Sequence, residues 1–177
     1  GFVLVSDECY VDLHYEGRPP RSILEFGKKG CLAVHSLSKR SGMTGYRSGF
    51  VAGDAELIAT YRRFRASMGT APQEFVQAAA TLAWQDTAHV EQRVRCFADK
   101  RAVLLDLCRQ RGLTVHGSAA GLYLWVEVPG DTDDVKYATR CRDVGIVVAP
   151  GSFFGAGQER YIRLALVPSV EECRAAA

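Results

Sequence analysis

Apolar positions along the chain gather into short strand-length runs, separated by polar and glycine-rich loops and by longer stretches of helical period. Phe2–Val5 is a continuous apolar run, the pattern of a strand buried on both faces of a parallel sheet. Cys31–Leu37 alternates toward a strand and runs into a Ser/Lys/Gly-rich loop, and Gly49–Ala52 is a short apolar strand. Asp54 is placed to cap a helix from about Ala55 to Met68. A second helix follows Pro72, a favoured first-turn residue, and reaches about Gln85. Asp86 or Thr87 opens a long amphipathic helix, Ala88 to about Arg111, closed by Gly112.

Beyond that helix the texture changes. Thr114–His116, Leu122–Val128, Ile146–Ala149 and Tyr161–Ala165 read as strands, with a helix over roughly Asp133–Val144 among them. Ser169 and Glu172 form a capping box that opens a last helix. The pattern predicts an α/β protein: part of a large domain over 1–85, a connecting helix over 86–112, and a smaller α+β domain over 113–177. The first strand needs neighbours and the last helix stops soon after its cap, so a piece of a longer protein is expected.

Composition changes this picture little. The chain has 177 residues, 47% of them hydrophobic and 24% charged, which excludes wholesale disorder. Its net charge of +2 is too balanced to make nucleic acid or an acidic membrane the main partner. No apolar run has the length of a membrane helix, and no internal repeat is visible. The cysteines at 9, 31, 96, 108, 141 and 173 lack zinc or thioredoxin spacing and read as reduced thiols in a cytoplasmic protein.

Three stretches carry chemistry: Ser6-Asp7-Glu8-Cys9-Tyr10, Ser36-Leu37-Ser38-Lys39 through Gly49, and Tyr161-Ile162-Arg163-Leu164. The first two follow strands, where ligands of α/β sheets bind. The third places an arginine inside an apolar strand, where its guanidinium needs an anion. Together they fit pyridoxal 5'-phosphate. That cofactor needs a lysine amine for its aldehyde, a carboxylate at its ring nitrogen, a donor at its ring oxygen, and cations and hydroxyls at its phosphate. Lys39, Asp7 and Tyr10 suit the first three roles. Ser36 and Arg47 suit the phosphate, with Arg47 as a bidentate fork. Arg163 would then take the substrate carboxylate.

These residues resemble the C-terminal half of a fold-type I, class I/II pyridoxal-phosphate aminotransferase. Asp7 and Tyr10 match that family's Asp-x-x-Tyr. Ser36, Ser38 and Lys39 match its Ser-x-Ser-Lys, Arg47 before Gly49 its phosphate arginine, and Arg163 its carboxylate arginine in a late strand. The resemblance extends over essentially the whole chain. Ser38-Lys39-Arg40-Ser41, Gly49–Asp54, Gly121–Trp125, Ala149–Phe153 and Arg163–Leu166 are further similar to succinyldiaminopimelate aminotransferases. The resemblance implies transamination from glutamate to a keto acid, with N-succinyl-2-amino-6-oxopimelate as candidate acceptor. Lys39 would be the catalytic lysine, Ser38 a further cofactor contact, and the enzyme a homodimer. The family's phosphate loop, ring-stacking aromatic and Asn-Pro motif would lie upstream of Gly1.

Other readings exist for the same residues. Asp7 and Glu8 also resemble the magnesium carboxylates of a P-loop ATPase, a reading that needs a Gly-rich Lys-Ser/Thr loop. A lyase on the same scaffold, or a non-catalytic fragment, would keep the same half-site. His14, His35, His89 and His116 share no metal-ligand spacing. Arg62-Arg63-Phe64-Arg65 reads as a solvated helix face or subunit contact. Tyr123 and Trp125 read by default as core packing.

Overall fold

The computed structural model describes residues 1–176. The chain divides into two compact units, Gly1–Val94 and a second that begins at Arg95.

The first unit is built on a three-stranded sheet in the order β1 (Leu4–Asp7), β2 (Cys31–Ser36), β3 (Gly49–Gly53). β1 runs parallel to β2, with Leu4 opposite Cys31 and Asp7 opposite Val34. β3 returns antiparallel, with Ser36 opposite Gly49. The expected mostly parallel sheet therefore holds one pairing of each kind among these strands. The short connection from Ser36 to Gly49 contains no full crossover helix, which a parallel β3 would require.

The expectation that Phe2–Val5 is buried on both faces is corrected. Phe2 is 86% and Val5 57% exposed, because no described element covers these side chains, and β1 is an edge strand of the described sheet. Burial is concentrated in β2, where Ala33 is fully covered. The β2–β3 approach depends on glycine: a Cβ on Gly53, whose φ is +147°, would stand 2.1 Å from the Cys31 carbonyl oxygen.

One helical turn, α1 (Leu37–Arg40), follows β2 directly. α2 (Ala55–Ser67) starts where Asp54 predicts: one carboxylate oxygen accepts from Glu56 N at 2.8 Å and Leu57 N at 3.2 Å. The other oxygen accepts from Gly30 N at 2.8 Å, tying the helix to the start of β2. α3 (Glu74–Gln85) follows Pro72 as expected, with Gln73 at its cap. The Pro72 carbonyl accepts from the Gln77 side chain. α4 (Ala88–Gln110) carries the chain into the second unit.

That unit holds an antiparallel sheet in the order β4 (Val115–His116), β5 (Tyr123–Glu127), β7 (Tyr161–Ala165), β6 (Ala149–Pro150). α5 (Asp134–Asp143) precedes β6 and α6 (Val170–Ala175) follows β7. Leu124, Val126 and Ile162 of the sheet and Leu104 and Cys108 of α4 are buried as its core. The strand expected at Ile146–Ala149 is shifted. Ile146 N instead bonds to the Cys141 carbonyl and closes α5, so pairing starts only at Ala149. Ser169 and Glu172 form the expected capping box. No described helix is long and apolar enough to cross a membrane, and all six cysteines are free.

Candidate active site

The parallel pairing of β1 and β2 brings their carboxyl-terminal ends to one edge of the first unit's sheet. Asp7 ends β1, Tyr10 sits in the turn after it, and Ser36 ends β2. The Ser36 hydroxyl accepts from Ser38 N at 3.1 Å and so caps α1. It reaches the Ser48 carbonyl at 3.5 Å, while Leu37 N donates to the same carbonyl at 3.1 Å. These bonds set Lys39 in the middle of a fixed turn.

Lys39 is half-buried, with its Nζ 5.8 Å from the centre of the Tyr10 ring. Among the described residues its amine has no hydrogen-bond or ion-pair partner. The Cys9 thiol and the Cys9 backbone N–H, the latter 3.1 Å away, hold the Asp7 carboxyl below the usual carboxylate range. Asp7 is therefore an anion at neutral pH. Burial, reinforced by Asp7, pushes the Cys9 thiol up to about 11. Cys9 is thus a donor to Asp7 and not a nucleophile. At pH 8, iodoacetamide should alkylate Cys9 in the folded protein about 100-fold more slowly than in the urea-unfolded chain, since the thiolate fraction falls tenfold per unit of pKa. Peptide mass spectrometry reads the two rates; equal rates would contradict the assignment.

Arg47 follows a 3₁₀ turn, Thr44–Tyr46, and has a left-handed backbone with φ +52°. A bulky residue there carries strain of about 1 kcal/mol or more. One guanidinium nitrogen donates to the Thr44 carbonyl at 3.0 Å. The rest of the fork lines a groove of about 760 Å³, bordered by Tyr46, Arg65, Thr70 and Phe75.

Arg163 lies in the second unit, mid-strand in β7, opposite Trp125 and Ala149. Its guanidinium carbon lies 4.1 Å from the centre of the Tyr123 ring and 4.4 Å from that of the Phe154 ring. It makes no hydrogen bond or ion pair among the described residues. Contacts with aromatic rings engage the flat surface of a guanidinium and leave its N–H groups available to an anion. The default core reading of Tyr123 and Trp125 is corrected here. Leu124 and Val126 point into the core, and strand alternation puts Tyr123 and Trp125 on the opposite, half-exposed face.

Several residues around the first site carry no motif in the sequence. Buried Glu8 accepts from Ser22 Oγ at 3.1 Å and Ile23 N at 2.8 Å, and lies 3.3 Å from His35 Nε2. The chain itself thus engages one oxygen of that carboxylate and sets His35 beside the other. His35 stacks on Phe50 with ring centres 4.7 Å apart. Arg40, buried beside Lys39, pairs with Asp12 at 3.2 Å and donates to the carbonyls of Ala83 and Asp86. Only its position directly after the lysine hinted at it.

The sequence profile of aminotransferase class I and II matches residues 1–177. The chain belongs to that family. A probable aminotransferase of Mycobacterium tuberculosis is 40% identical over 99% of this chain and 43% of its own length. The 4-dedimethylamino-4-oxo-anhydrotetracycline transaminase of Streptomyces rimosus is 39% identical over 100% and 50%. The crystal structure of a probable N-succinyldiaminopimelate aminotransferase from Thermus thermophilus superposes with a TM-score of 0.88 at 30% identity, over 98% of this chain and 48% of that one. The chain thus spans about half the length of the relatives it matches. Class I and II aminotransferases use pyridoxal 5'-phosphate. The residues present fit it: an amine without a polar partner at Lys39, a carboxylate held ionised at Asp7, and an arginine fork at Arg47 with nitrogens to spare.

Proposed function

We propose that this chain forms the lysine-bearing part of a pyridoxal-phosphate-dependent aminotransferase that moves an amino group from glutamate to a keto acid. N-succinyl-2-amino-6-oxopimelate, a precursor in diaminopimelate and lysine synthesis, is the candidate acceptor. The observation that carries the reading is the pairing of an unpartnered Lys39 amine with an ionised Asp7 at adjacent strand ends. The Thermus thermophilus neighbour supports the acceptor, as do the sequence stretches that resemble its class.

Bound pyridoxal phosphate supplies an electron sink for the charge left at the substrate α-carbon. The side chains of this half do the rest. Asp7, an anion at neutral pH, holds a proton on the ring nitrogen. Tyr10 donates to the ring oxygen. Ser36, Ser38 and Arg47 hold the phosphate, Arg47 through its free nitrogens. Lys39 Nζ takes the α-proton from one carbon and returns it to another, acting as base and then acid. Arg163 grips the α-carboxylate and fixes its orientation. In this reading residues 1–85 belong to the large cofactor-binding domain, 86–112 connect, and 113–177 form the small domain. The whole enzyme is a homodimer, and the six free thiols of this chain suit the reducing cytoplasm.

The test uses the full-length protein with glutamate, the keto acid and added cofactor. Stoichiometric 2-oxoglutarate and borohydride-fixed cofactor on Lys39 are expected. Release of ammonia in its place would make the protein a lyase, and labelling at another lysine would refute the site. Arg163→Ala should raise KM for glutamate about 100-fold, the worth of a charge-assisted pair, with cofactor retention unchanged. Unaltered kinetic constants would remove Arg163 from the substrate site.

A further inference from the structure

Lys39 sits on a helix of four residues, far too short to hold itself in place. Its amine has no polar partner to anchor it. The position of Nζ is therefore set by the backbone of the turn. Side chains from the junction of α3 and α4 fix that backbone from a distance. His89 Nε2 meets Ser41 Oγ at 2.9 Å, and His89 Nδ1 meets Asp86 Oδ2 at 2.9 Å. The other Asp86 oxygen accepts from Ala88 N at 2.8 Å, so the carboxylate is oriented at both ends. Arg93 Nη2 donates to the Lys39 carbonyl at 3.4 Å. The same guanidinium packs over Gly42, where a Cβ would stand 2.8 Å from it.

The proton order follows from the chemistry. An ionised carboxylate only accepts, so His89 Nδ1–H donates to Asp86; with the ring neutral, Nε2 accepts from the Ser41 hydroxyl. The residue types are those of a hydrolytic triad. The tie from Arg93 to the neighbouring carbonyl sets the arrangement apart, since the contacts converge on the backbone of the residues at 39–42.

We propose that Asp86, His89 and Ser41 form a positioning relay that sets the geometry of the Lys39 amine from the start of α4. The role rests on the transaminase reading, in which Lys39 moves the proton. Within the fold, the relay replaces the restraint that a longer helix would give. Ser41 and His89 touch neither substrate nor cofactor in this account; they act through the turn.

Ser41→Ala cuts the relay at one bond, and Ser41→Thr keeps the hydroxyl. Two readouts separate the possibilities. In the full-length protein without cofactor, amide hydrogen exchange is followed at Ser41 and Met43, which both bond to the Leu37 carbonyl. In the loaded enzyme, kcat and KM are measured. Ser41→Ala should speed exchange at both amides about tenfold, the equivalent of one lost hydrogen bond. It should lower kcat about tenfold with KM within twofold, because a displaced base slows proton transfer and leaves binding intact. Ser41→Thr should restore both. Unchanged exchange overturns the relay. Faster exchange with unchanged kcat shows a structural brace and overturns positioning. If the wild type itself fails to transaminate, the functional reading fails while the exchange arm still decides whether the relay holds the turn.

Discussion

Lys39→Ala is expected to reduce amino transfer by about 10,000-fold or more, since in the proposed mechanism Lys39 is both the base and the amine that takes up the cofactor. The fold should be indifferent to the change. Lys39 Nζ makes no hydrogen bond or ion pair among the described residues and only overlies Tyr10 at 5.8 Å. The urea midpoint should therefore match that of the wild type. Cofactor should still bind, weakly and reversibly, through Asp7 and Arg47, and dialysis should strip it. Lys39→Arg should not rescue turnover, because a guanidinium stays protonated and cannot serve as a base. Turnover near the wild-type rate in Lys39→Ala would end the assignment of Lys39.

Arg40→Ala, one residue on, should do the reverse. Arg40 is 6% exposed and its guanidinium satisfies three acceptors: Asp12 at 3.2 Å, the Ala83 carbonyl at 2.6 Å and the Asp86 carbonyl at 3.3 Å. Its flat face lies 5.1 Å from the centre of the Trp84 ring. Truncation leaves the two carbonyls without their donor and opens a void against the indole. A loss of about 3 kcal/mol is expected, because buried acceptors lose their donor while the ion pair with half-open Asp12 adds little. Calorimetry would read this as a drop in Tm of more than about 10 °C for a unit of this size. Arg40→Lys should recover little of it, since one ammonium cannot span three divergent acceptors. A change within 1 °C would mean that solvent replaces all three bonds without penalty.

Adjacent side chains thus divide two tasks, and the sequence showed only one of them. Lys39 was legible because its chemistry comes with local companions: Ser36 and Ser38 before it, Arg47 after it. Arg40 was not, because its acceptors at Ala83 and Asp86 are far along the chain and two of them are backbone carbonyls, which leave no trace in residue type. Asp54 and the Ser169–Glu172 pair were readable as helix starts for the same reason that Lys39 was: capping is local. Pro72 marked the start of α3 to within two residues, because the restraint it places on the chain is local as well. Phe2–Val5 misled. Its apolar run reports what the strand is suited to meet, and the pairing partner on its open side is not a property of those residues. Tyr123 and Trp125 looked like core because alternation cannot tell which face is inward; Arg163 across the ladder decides it.

The two tryptophans are allotted one to each unit, Trp84 beside Arg40 and Phe50, Trp125 stacked on Tyr161 and edge-on to Phe154. Each unit therefore carries its own intrinsic fluorophore. Within this chain, replacing Trp84 by Phe leaves tryptophan emission from the second unit alone, and replacing Trp125 leaves that from the first, so the melting of each can be followed without a dye. Trp125 has a second use. Phe154 touches both its ring and the Arg163 guanidinium, which places an optical probe one aromatic ring away from Arg163.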